Sequence, residues 1–246
     1  MIPNFALVLS RICGAIILLP GMGETVSPAT ARVGLAVCIT LLILPTLPDA
    51  GVLSEISGGQ FLVAMIAEMV TGLWFGWLTR MVALVLPITG QIIGYLLGLS
   101  SVLQPDPDLG AQSNDLGTML GLVSPLIFLV TGLYTLPITA LRGSFDLIPL
   151  GHLLPPVDGT EFTVVSMLKI FSLSVQLAGP FVLVSIVWHL IMGHISRMAS
   201  RMQIYFASIP GQILGGLALL MALTSTFMLS WKETASALLD GLPGTR

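Results

Sequence analysis

Between Phe5 and Trp231 the sequence is a succession of long apolar stretches: Phe5–Pro20, Ala31–Leu47, Phe61–Thr79, Met81–Leu103, Leu116–Leu141, Phe162–Met192 and Gln203–Trp231. About 20 mostly apolar residues let a helix cross a bilayer. Charged residues make up only 9% of the chain, against roughly 25% in an ordinary soluble domain. A water-soluble fold needs more polar surface than that, because much of its area stays exposed. The expectation is an all-α polytopic membrane protein with six or seven apolar helices. The count depends on Arg80, which alone separates the third stretch from the fourth. Those two are either a tight hairpin or one long helix bent at Pro87.

Turn-forming residues punctuate the apolar stretches. Pro20–Pro28 and Pro45–Gly59 are rich in proline, glycine and serine. Residues 1–231 read as a single helical membrane domain with two excursions, 99–115 and 142–161, and 232–246 as a polar C-terminal tail. The second excursion ends with Asp158 or Thr160 as helix N-cap and Glu161 in the first turn. The first stretch reads as a retained membrane segment rather than a cleaved signal, because no Lys or Arg precedes it and Arg11 lies inside it. With seven spans, Arg32, Arg80, Arg142 and Lys232 collect on one side, which places the amino terminus outside on a small bias.

Three glycines, Gly90, Gly94 and Gly98, stand four residues apart in an apolar helix. Such positions drift slowly around one face. Gly72 and Gly76 repeat the spacing, as do Gly211 and Gly215, with Gly216 beside them. Lipid supplies no hydrophobic drive between helices, so close backbone packing does that work. Packing inside the chain and packing against another subunit are equally good readings of this pattern. The segment that follows, Leu99–Ser100–Ser101–Val102–Leu103–Gln104–Pro105–Asp106–Pro107, cannot stay helical through its prolines. Its aspartates cannot sit unpaired in hydrocarbon. It is either a plain solvent loop, which spacing alone favours, or a short segment folded into a pore mouth.

Three charges interrupt apolar stretches: Arg11, Glu68 and Lys169. Each costs about 2.5–3.5 kcal/mol at mid-membrane on insertion scales. Each therefore needs a partner, water, or a helix end from which it can reach water. Their best use is in ion pairs that fix an assembly. Enzyme chemistry is poorly supported. No H-E-x-x-H, G-x-S-x-G or phosphate-cradling loop occurs, and His189 and His194 are five apart, off a shared helix face. No cofactor or metal is expected, and with net charge −3 no nucleic-acid partner either.

Taken in order, these residues resemble the FliR/SctT family of type III export-gate membrane proteins. The likeness rests on Arg11 in the first helix, Pro20 ending it, Pro28 with Arg32 opening the second, and Glu68 with Gly72 and Gly76. It continues through Gly90-Gln91, Gly94 and Gly98, Pro107, Lys169 and Pro180. Arg197–Pro210, which includes Phe206, is similar to the family's R-x-x-P-Q-x-x-x-F-x-x-G-x-P. The chain departs from the family at Gln91, Ser200, Arg201, Tyr205 and Ser208, where the family has Glu, Pro, Gln, Phe and Gly. The resemblance implies a non-enzymatic subunit of tilted helical hairpins, wound with FliP-like and FliQ-like subunits into a helical export-gate cone. FlhA and FlhB would lie nearby, at the flagellar basal body in the bacterial inner membrane. An injectisome gate is the alternative setting, and a small solute transporter, with a midplane site between discontinuous helices, is the rival class. Residues 99–107 would plug the closed pore, through which unfolded substrates pass.

Overall fold

The computed structural model describes residues 2–23, 28–47, 58–99, 115–152, 156–198 and 204–245. Among these, every regular element is helical: α1 Ile2–Leu18, α2 Ala29–Ile43 with a 3-10 turn Leu44–Thr46, α3 Gly58–Leu96, α4 Asp115–Val130, α5 Thr135–Leu147, α6 Pro156–Met198 and α7 Ile204–Asp240. Four segments are long and apolar enough to span a membrane: Ala29–Thr46, Gly58–Leu96, Thr160–Arg197 and Ile209–Asp240. The bent pair α4–α5 makes a fifth. The expected all-α polytopic class is what the chain adopts.

The boundaries differ from the sequence expectation in four places. First, Arg80 does not open a hairpin: α3 runs unbroken for 39 residues with Pro87 inside it. Near that proline, the Val85 carbonyl accepts hydrogen bonds from Thr89 Oγ1 at 2.7 Å and from Ser174 Oγ at 3.4 Å. Second, the stretch Leu116–Leu141 is two helices, bent by 71°. Gly132 takes a φ of +75°, a conformation in which a side chain is strained. Thr135 Oγ1 then donates to the Gly132 carbonyl at 2.8 Å, closing the turn. Third, the long excursion is shorter than expected. Arg142–Leu147 belongs to α5, and α6 begins at Pro156. Proline suits the first helical position, where its missing N–H has no partner to lose. Fourth, α7 continues through Lys232 to Asp240, with Ala235, Leu239 and Leu242 buried. Those three lie on one helical face, so the stretch read as a polar tail is amphipathic.

By contacts the chain forms two compact units. The first comprises residues 1–83, 125–168 and 235–246, the second residues 84–124 and 169–234. In the first, α1 lies flush against α3. A Cβ added to Gly14 would come within 2.5 Å of the Met69 carbonyl oxygen, and one on Gly72 or Gly76 would collide with the carbonyl of Arg11 or Ala15. Ser10 Oγ donates to the Met65 carbonyl along the same seam, at 2.8 Å. In the second unit α3 meets α4: a Cβ on Gly90 would stand 2.9 Å from Gly117 Cα. The glycine spacing is thus used inside the chain at Gly72, Gly76 and Gly90. At these three the close neighbour is the chain's own backbone. Gly94 is buried as well. Gly211 abuts Trp188, whereas Gly98 and Gly215 face open space.

Candidate functional site: a buried ion pair and the held end of α3

Arg11 and Glu68 are both fully buried. Arg11 Nε donates to Glu68 Oε2 at 2.5 Å. The two residues are 57 positions apart, and the glycine seam between α1 and α3 is what brings them together. One turn beyond each charge, Gly14 and Gly72 remove the side chains that would push the helices apart.

The pair is completed by α5 and the turn that follows it. Arg11 Nη1 donates to Ser144 Oγ at 3.1 Å and Nη2 to the Ile148 carbonyl at 3.0 Å. Ser144 Oγ in turn donates a hydrogen bond to the Leu141 carbonyl at 2.6 Å. The guanidinium carbon lies 4.2 Å from the centre of the Phe145 ring, a cation–π contact. The other carboxylate oxygen of Glu68 accepts the Gly151 N–H at 2.7 Å. A buried ion pair survives desolvation only when further hydrogen bonds satisfy its remaining donors and lone pairs. That condition is met here on both partners. The arrangement ties three helices and a turn into one polar knot in an apolar surround.

Sequence reading singled out Arg11 and Glu68 as charges that need partners. It missed Ser144, Phe145, Ile148 and Gly151, because all four fall in the stretch taken as an excursion. A usable signal was the spacing of Leu141 and Phe145, both buried, four residues apart as on one helix face. Lys169 does not join the knot. It is exposed on α6 and has no hydrogen-bond or ion-pair partner among the described residues.

In the second unit, the C-terminal end of α3 is held from two helices. Its Leu96 carbonyl accepts Gln212 Nε2 of α7 at 2.7 Å and Ser185 Oγ of α6 at 3.5 Å. Leu97 packs against Gly216 of α7. The helix then closes with a left-handed glycine. Gly98, at φ +73°, donates to the Tyr95 carbonyl at 3.1 Å, and Leu99 donates to the Gly94 carbonyl at 2.9 Å. That pair of bonds is the glycine-ended helix stop that satisfies orphan carbonyls. Gly98 thus serves the helix stop. Of the nine residues expected to form a plug, Leu99 is half-buried. Ser100, Ser101, Val102, Leu103, Gln104, Pro105, Asp106 and Pro107 lie outside the described residues.

Of the Arg197–Pro210 stretch, Arg197 is exposed in the last turn of α6 and Pro210 is exposed inside α7. The Phe206 side chain lies outside the described residues. His189 and His194 each use Nδ1 on the carbonyl four residues earlier in their own helix, at 2.7 and 2.9 Å. Among the described residues no group of three His, Cys, Asp or Glu side chains could hold a metal.

Long apolar helices tied by a satisfied buried ion pair define a polytopic, all-helical membrane protein. Comparison with known proteins gives the family. The chain belongs to the bacterial export proteins, family 1, whose model matches residues 2–238. It is similar to the flagellar biosynthetic protein FliR of Caulobacter vibrioides, 29% identical over 96% of this chain and 94% of that relative. It is similar also to the FliR proteins of Escherichia coli, 26% identical over 87% of this chain and 82% of the relative, and of Bacillus subtilis, 25% identical over 87% and 83%. The family expected from the sequence is therefore the family found.

Proposed function

We propose that this chain is a non-enzymatic subunit of the flagellar type III protein export gate in the bacterial inner membrane, at the basal body. It would line, with FliP-like and FliQ-like subunits, the pore through which unfolded flagellar proteins leave, with FlhB and FlhA close by. The observation that carries this reading is uncovered apolar surface on helices too long for a bilayer. The apolar segment of α6 has 38 residues and that of α3 has 39. At 1.5 Å per residue each extends about 57–59 Å, against roughly 30 Å of hydrocarbon. Leu168 and Leu183 on α6, and Leu214 and Met221 on α7, are between 65% and 73% exposed. Only 11% of the most apolar window of α7 is buried. Lipid cannot cover such helices end to end, so other protein must. Flagellar relatives that match almost end to end make gate subunits the fitting cover.

Co-expression with FliP-like and FliQ-like subunits of the same genome, followed by native mass measurement of the detergent-extracted complex, tests the reading. A complex containing all three chains is expected. A chain recovered only as a lipid-surrounded monomer overturns it.

Residues 99–107 are proposed as the plug of the closed pore. Support comes from the root of the segment: α3 ends at Leu96, whose carbonyl takes two side-chain hydrogen bonds, and a fixed root is what a plug requires. Deleting Leu103–Gly110 is expected to raise ion leakage across the membrane of cells carrying the complex several-fold. Leakage equal to wild type, with the complex intact, removes the plug.

A further inference from the structure

One polar row lies across the otherwise apolar exposed face of α6. Lys169, Ser172 and Gln176 are all exposed, and their spacing of three and seven residues places them within roughly 60° of arc. Gln176 Nε2 donates to Ser172 Oγ at 3.2 Å, which orients the two side chains along the row. Val165 before the row and Leu183 after it lie on the same line, and Leu168 and Val175 flank it on one side, all exposed.

No solvent suits this face as it stands. Hydrocarbon would meet an ammonium group with no partner among the described residues. Water would meet the aliphatic side chains before and after it and along one flank. Lys169 is 13 residues into α6, about 20 Å along the axis, and apolar exposed residues lie both before and after it. Reaching a polar boundary along such a helix leaves one of those apolar groups in water. What satisfies both demands is an apolar helix carrying one acceptor at the level of the lysine. The row offers an ammonium and a hydroxyl donor close together, so the acceptor is anionic. Resting on the proposal that the chain is one subunit of a membrane-embedded gate, we propose that Lys169, with Ser172 and Gln176 beside it, receives an Asp or Glu side chain from an apolar helix of a neighbouring subunit.

The test is capture of the co-expressed FliP-like and FliQ-like subunits by the full chain. Lys169→Met removes the charge without adding a new one, so when made alone it is expected to reach the same level as the wild-type chain made alone. In the complex it is expected to retain at least tenfold less of one partner. Lys169→Glu should lose that partner altogether, Lys169→Arg should keep it, and an Asp→Lys or Glu→Lys change in the partner's apolar helix should restore capture by Lys169→Glu. Wild-type capture by Lys169→Met overturns the proposal, as expected if a lipid headgroup were the counter-ion. A level of Lys169→Met below that of the wild-type chain, each made alone, also overturns it, because the lysine would then serve its own chain. Failure of the wild-type chain to hold either subunit overturns the gate reading itself, and this inference with it.

Discussion

Replacing Glu68 by alanine is expected to remove most of the chain from the membrane fraction. The change leaves the Arg11 guanidinium fully buried, with only Ser144 Oγ, the Ile148 carbonyl and the Phe145 ring around it. It also strips the Gly151 N–H of its acceptor. Breaking a buried pair on one side costs about 3–5 kcal/mol, because the remaining charge has no compensation. A domain of ordinary stability has about 5–15 kcal/mol in all, so the steady-state level should fall at least tenfold. Replacing both partners, as Arg11→Met with Glu68→Leu, should recover much of that level, since a matched apolar pair leaves no charge stranded. The check is quantitative immunodetection in membranes. A double variant no more abundant than Glu68→Ala would show that the charges themselves are needed.

Gly72→Ala is expected to do comparable damage by adding one methyl group. That carbon would overlap the Arg11 carbonyl oxygen. Backbone cannot rotate aside as a side chain can, so α1 and α3 must separate. Overpacking of a tight core costs about 1–3 kcal/mol, sometimes more. Separation would also stretch the Arg11–Glu68 bond, so the value should fall at the upper end of that range. Gly34→Ala and Gly179→Ala meet no neighbour in the chain and should leave its thermal stability in detergent unchanged or raised. A Gly72→Ala variant melting with wild type would mean that the helices are not in this register.

What sequence could and could not reveal follows from range. Apolar length is local, so α2, α6 and α7 were legible at once, and so was the need of Arg11 and Glu68 for partners. Which partner is not local. The bond joins residues 57 positions apart, and nothing in either stretch names the other. Composition also hid backbone breaks. The apolar character of Leu116–Leu141 continues straight through Gly132, where the chain turns. Conversely, Arg142 and Asp146 made the end of α5 look like loop. They form an exposed ion pair one helical turn apart at 3.4 Å, while Leu141, Ser144 and Phe145 face inward. Lys232 and Glu233 disguised the buried face of the last three turns of α7 in the same way. The glycine ladders were visible, but a small residue shows only that something comes close, not whose backbone it is.

The uncovered flanks of α6 and α7 have a consequence for how much of this polypeptide a cell can tolerate. A copy synthesised without companions has no comfortable resting state: its long greasy sides would draw it to other orphans or to a protease. Its abundance should therefore track that of the chains that shelter it, and surplus synthesis would be cleared rather than stored. Stoichiometry would in that way be enforced by the surface itself, with no separate counting device.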